Sequence, residues 1–181
     1  MARLGCLNIP RISVQLILLK HSEWTAEPVV YINEDSPRGV IEETNSAAQQ
    51  LGIRPGMRYA SALSLEPALK ADTLHESDLE EMAERIRAAL SRYSPDQECA
   101  DFATGVYWVN ASGMRFLYES LEDWAHALEA AVEELGLYCR AAVGHSRYGS
   151  YLAALQLHSD TRVYTYDEER ELIFRAPLTS L

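Results

Sequence analysis

The sequence predicts an α+β fold, in which a mainly antiparallel sheet carries helices on one face and a small lobe is inserted after the first strand. Three observations lead there. Two long stretches, residues 77–93 and 116–135, repeat their apolar residues at helical period. Short apolar or alternating runs around them are bounded by Gly, Pro, Asn and Ser, which is the signature of strands and turns. Their order is strand, inserted lobe, helix, two strands, helix, strand, helix, strand, with no internal repeat and no low-complexity tract.

Residues 3–9 are short, apolar and stopped by Pro10, as suits a buried strand, and a helix follows. Residues 29–32 and 39–43 flank Asn33-Glu34-Asp35-Ser36-Pro37, a run of turn formers, and read as a hairpin. Thr44 or Asn45 caps a helix through Leu51, Gly52 ends it, and Arg54-Pro55-Gly56 turns into a second short helix at residues 61–65. Ser77 and Glu80 have capping-box spacing, and Leu79, Met82, Ile86, Ala89 or Leu90, and Tyr93 recur at helical period. Residues 97–102 and 106–110 read as paired strands around Thr104-Gly105, and Ala111-Ser112-Gly113 makes the next turn. Leu117, Leu121, Trp124, Leu128, Ala131, Val132 and Leu135 form one stripe that Gly136 ends. A strand at 137–143, a helix at 150–157 and a strand at 162–166 follow.

With 181 residues and 48% hydrophobic content, the chain suffices for one core plus an appended lobe. Its longest apolar stretch near the start, residues 14–19, falls far short of the roughly 20 residues of a membrane span. No cleavage site follows it, so neither a signal peptide nor a membrane helix is expected. Cys6, Cys99 and Cys139 leave an odd thiol over and show no CxxC spacing, which suits reduced thiols in the cytoplasm. The formal charge of −11, with 16 scattered basic residues, argues against a DNA grip, which needs clustered Lys and Arg. Acidic runs at Glu80-Glu81, Glu133-Glu134 and Asp167-Glu168-Glu169 read as solvated faces or as a docking face for a basic partner.

His21, His75, His126, His145 and His158 never fall four apart and none neighbours a cysteine at metal spacing. His145-Ser146 lacks a Gly-x-Ser-x-Gly elbow around it. Trp24, Trp108 and Trp124 read as core or half-buried anchors. Tyr148, Tyr151, Tyr164 and Tyr166 could stack bases, but without basic neighbours packing is the better account.

Val40-Ile41-Glu42-Glu43-Thr44-Asn45-Ser46-Ala47-Ala48-Gln49-Gln50-Leu51-Gly52-Ile53-Arg54-Pro55-Gly56-Met57 resembles the fingers strand and helix of the Y-family DNA polymerases of the ImuB type. Ser64-Leu65-Glu66-Pro67-Ala68-Leu69, Ser91-Arg92-Tyr93-Ser94-Pro95, Trp108-Val109-Asn110-Ala111-Ser112-Gly113 and Ala142-Val143-Gly144-His145-Ser146 resemble later family stretches. Residues 167–178 resemble the run that leads into the thumb. The resemblance implies a ferredoxin-like palm with an inserted fingers lobe: residues 1–27 palm, 28–72 fingers, and 73–181 palm ending before the thumb.

It also implies which positions should carry chemistry. The family's two-metal phosphoryl transfer needs carboxylate ligands, and the resemblance places them at Asn8, Gly105 and Val106, all uncharged here. Pro10 stands where active members often carry a second acid, and Asp101 lies four residues before the expected pair. Asp101 is either a displaced ligand or, more ordinarily, a loop acid bonded to backbone donors. The family's triphosphate contacts on the fingers helix fall on Ser46 and Gln49. Its lysine after the last palm helix finds His158-Ser159-Asp160-Thr161-Arg162, where Arg162 is the one substitute.

The resemblance therefore implies a non-catalytic accessory protein of damage-induced translesion synthesis, with no metal and no cofactor. Its implied partners are the sliding clamp, an ImuA-type RecA-like protein and an error-prone replicative-type polymerase. This portion alone should bind DNA weakly or not at all. Two rivals stand beside that reading: an active polymerase with unorthodox ligands such as Asp101, and a free-standing acidic protein-binding module.

Overall fold

A computed structural model of the chain describes residues 3–101, 103–156 and 161–176. In chain order its elements are β1 (Leu4–Asn8), α1 (Ile12–Lys20), a 3-10 turn (Ser22–Trp24), β2 (Val29–Ile32), β3 (Ile41–Thr44), α2 (Ser46–Gln50) and α3 (Tyr59–Leu63). There follow β4 (Lys70–Asp72), α4 (Glu76–Leu90), β5 (Gln97–Cys99), β6 (Val106–Asn110), a second 3-10 turn (Met114–Phe116), α5 (Leu121–Glu133), β7 (Arg140–Gly144), α6 (Arg147–Gln156), β8 (Arg162–Val163) and α7 (Tyr166–Arg175). They fall into two compact units, one made of residues up to Pro10 and from Ala83 onward, the other of Arg11–Met82.

The first unit is built on a sheet of order β5-β6-β1-β7-β8, antiparallel except for the β7–β8 pair. Strands β1, β5, β6 and β7 thus give the ferredoxin-like arrangement, and the expected α+β class holds. Apolar residues on both sides of β1 explain its central place. Cys6 shares one buried cluster with Val106, Trp108 and Ala142 of its neighbours and with Ala153 and Ala154 of α6, and Leu172 of α7 packs against that cluster. Gly5 points the other way, against the indole of Trp124 in α5. Helices α6 and α7 therefore add a second layer to the single helical layer expected from the element order.

The second unit is a lobe around a three-stranded sheet of order β3-β2-β4. The expected hairpin is present, with an irregular register between Tyr31 and Ile32. Strand β4, unmarked by any strong pattern, adds in parallel to β2. Val30, Ile32, Ile41, Ala48, Ile53, Ala62 and Leu69 form one core, while Val14 and Ile17 of α1 pack on Val29.

Several boundaries move for local reasons. The Asn45 side chain accepts from the Ala48 N–H and caps α2, and Gly52, at φ 85°, ends it. The second lobe helix lies at Tyr59–Leu63, earlier than expected. Helix α4 starts at Glu76, ahead of the Ser77–Glu80 box, and the Asp78 carboxylate accepts from His75 N–H at 3.1 Å. Ser120 caps α5 through Asp123 N–H at 3.0 Å, so the stripe from Phe116 is not one helix. Phe116 and Leu117 lie before it, 93% and 74% exposed. Helix α6 starts at Arg147 and β7 at Arg140. The last strand is only Arg162–Val163, because Thr165 and Glu168 form a capping box that opens α7. Phe102, Leu157, Pro177 and Leu178 lie outside the described residues.

The tryptophans follow expectation: Trp124 and Trp108 are buried and Trp24 is half-buried, stacked on His21 at 3.9 Å. Cys6 and Cys139 are buried and Cys99 is partly buried, all three as free thiols. No described helix is long and apolar enough to cross a membrane.

Candidate active site

The C-terminal end of β1 lies between the start of β6 and the start of β7. In that register Asn8 stands opposite Val106 on one side and Arg140 on the other. Directly opposed residues of an antiparallel pair project from the same face, so Asn8, Val106 and Arg140 share one. Asn8 is buried, 7% exposed. Val106 sits in the apolar cluster of Cys6, Trp108 and Ala142. One residue on, Ile9 N–H donates to the Gly105 carbonyl at 2.8 Å. Gly105 takes φ 84°, the left-handed conformation that turns the chain into β6.

The structure thus brings together all three positions assigned to metal ligands, and their chemistry is one amide, one glycine and one isopropyl group. That donor set does not fit a hard divalent cation, which takes charged oxygen ligands. Among the described residues no three His, Cys, Asp or Glu side chains converge as a metal site requires. Asp101 is exposed in the approach to β6. Arg140, the charged neighbour, donates from Nε to the Tyr138 hydroxyl at 2.6 Å and lies over that ring.

In the lobe, Ser46 opens α2 and Gln49 lies one turn on. The Ser46 hydroxyl accepts from Arg11 Nη1 at 3.2 Å, and Gln49 Nε2 donates to Thr44 Oγ1 at 3.1 Å. Beside them, Glu43 caps the first turn of α1. One carboxylate oxygen accepts from Ser13 Oγ at 3.0 Å and the other from Val14 N–H at 3.2 Å. Burial raises the Glu43 pKa above the usual glutamate value, while the bonds from Val14 and Ser13 and the charge of Arg11 pull the other way. Arg11 itself adopts φ 53°, unusual for a residue with a Cβ.

Arg11 and Glu43 escaped the sequence reading. Each acts across about thirty residues of chain, and no local spacing marks such a contact. Arg162 is engaged by Glu168 at 2.6 Å and lies over the Tyr164 ring at 4.7 Å. Tyr164 is buried and Tyr151 packs against the same cluster, as the packing account expects, whereas Tyr166 is 51% exposed. His21 pairs with Asp72 at 3.0 Å and His126 with Glu129 at 3.2 Å. His158, Ser159 and Asp160 lie outside the described residues.

The impB/mucB/samB family model matches residues 9–154. No curated protein matches the sequence significantly. Among solved structures, the chain is similar to a post-insertion binary complex of Dbh DNA polymerase, with TM-score 0.84 and 14% identity over 99% of this chain and 53% of that one. It is similar also to DinB from Sulfolobus solfataricus, with TM-score 0.78 and 14% identity over 90% of this chain and 48% of that one. The chain thus spans about half the length of these polymerases. By the family match across most of its length, and with the palm-and-fingers fold that the structural likeness gives it, the chain belongs to the impB/mucB/samB family of Y-family DNA polymerase-like proteins.

Proposed function

We propose that this chain is a non-catalytic, ImuB-type member of its family, an accessory of damage-induced translesion synthesis whose polymerase fold serves as a scaffold. One observation carries the reading: Asn8 faces Val106 across the β1–β6 ladder with Gly105 beside it, where the resemblance expects carboxylates. In the lobe, Ser46 and Gln49 supply only neutral groups, hydrogen-bonded to Arg11 and Thr44, where the resemblance expects triphosphate contacts. Loss of both sets removes the charge stabilisation on which phosphoryl transfer depends. The partners we propose are a sliding clamp, an ImuA-type RecA-like protein and an error-prone replicative-type polymerase that supplies the chemistry. With a charge of −11, this portion alone should hold DNA poorly.

Manganese titration followed by electron paramagnetic resonance tests the reading at the site. The proposal expects no stoichiometric Mn²⁺ binding. A stoichiometric site that Asp101→Ala abolishes would favour an active polymerase with displaced ligands.

A further inference from the structure

A cavity of about 470 Å³ opens in the first unit, lined by Arg3, Ser112, Arg115, Phe116, Leu121 and His145 among others. Its wall combines features that the polymerase-like reading does not use. Two guanidinium groups border it in a chain of charge −11, and among the described residues neither lies within ion-pair distance of a carboxylate. Arg3 donates to the Tyr164 carbonyl, which anchors it without an ion pair. Burial lowers the Arg3 pKa and the nearby Arg115 lowers it further, with Glu169 and Glu122 opposing at longer range. Both ring nitrogens of His145 are buried without a hydrogen-bond partner among the described residues. Phe116, 93% exposed, supplies an apolar rim next to Leu117, itself 74% exposed.

Such a wall has a definite complement. Paired guanidinium groups bind planar anions through directed N–H donors. A large exposed aromatic beside them offers the apolar contact that anchors peptide side chains. We propose that this cavity docks an acidic-apolar peptide segment of a partner protein, with a carboxylate at Arg3 and Arg115 and an adjoining apolar side chain on Phe116 and Leu121. Nucleic acid is the poorer fit, because its phosphates call for a run of cations, and among the described residues two guanidinium groups line this cavity. The proposal is independent of whether the chain is catalytic.

The test uses fluorescence anisotropy with a labelled Gly-Asp-Glu-Asp-Leu-Phe peptide, and variants Arg115→Glu and Arg3→Gln. Arg38→Glu, a charge reversal of the same size in the lobe, is the control. Because Arg115 is exposed, its variant keeps the fold even where Arg3→Gln does not. Arg115→Glu should weaken binding by about tenfold or more, and Arg38→Glu by less than about twofold. The peptide with Asn and Gln in place of its acids should not compete. No binding at millimolar peptide, equal losses in Arg115→Glu and Arg38→Glu, or an oligonucleotide that binds instead and is lost in Arg115→Glu would each overturn the proposal.

Discussion

Asn8 and Val106 face each other across the β1–β6 ladder, and Val106 belongs to a buried apolar cluster with Cys6, Trp108 and Ala142. A charge placed at this position would be penalised. Val106→Glu should therefore cost about 2–4 kcal/mol, the penalty of an uncompensated buried charge. Urea denaturation of the variant measures it. A loss below about 0.5 kcal/mol, the range of ordinary surface substitutions, would mean that the position is open to water or to a cation.

Glu43 ties β3 to the first turn of α1 through Ser13 and Val14. Truncation by Glu43→Ala strands both donors and should cost about 1–2 kcal/mol, as for a lost helix cap. Burial raises the folded pKa of Glu43, so the folded protein takes up this proton before the unfolded chain does. The stability difference between wild type and variant should be fully present below the usual glutamate pKa of 4.5 and shrink as pH rises through the raised value. Denaturation midpoints across that window give the slope, and a difference that grows with pH would contradict the assignment.

Glu169 of α7 is a buried carboxylate that accepts from the backbone N–H groups of His145 and Ser146 and from the Ser146 hydroxyl. It has room only because residue 149 is glycine: a Cβ built at Gly149 would overlap its carboxylate. Gly149→Ala should cost about 2–3 kcal/mol in wild type and little once Glu169→Ala is present. A double-mutant cycle reads this coupling, and additive losses would refute the contact.

Gly5 plays a similar part on the opposite face of the sheet, where an added Cβ would come within 2.9 Å of the Trp124 ring. Gly5→Ala should lower stability by about 1–3 kcal/mol through overpacking, measured by thermal melting. An unchanged melting temperature would show that Trp124 can yield.

The sequence pattern conveyed the succession of strands along the first unit and the hairpin of the second because both rest on local periodicity and turn chemistry. Val29 to Ile32 form a strand as read, and Gly52 ends its helix as read. It failed where tertiary contact decides. Phe116 and Leu117 matched the stripe of α5, yet Ser120 caps that helix after them. Helix α7 lies in a run of charges that carries little apolar signal, so periodicity does not mark it despite its capping box. At the candidate site, the identities of Asn8, Gly105 and Val106 were legible, whereas Glu43 and Arg11 became visible only when β3 met α1.

The proposed lack of catalysis is tested most directly by single-turnover primer extension, with the protein expressed from its full reading frame and present in excess over a primed template, with Mg²⁺ or Mn²⁺ and all four nucleotides. The account predicts no template-directed extension with either metal. Incorporation that follows the template and disappears in Asp101→Ala would contradict it and restore the chain to the active polymerases.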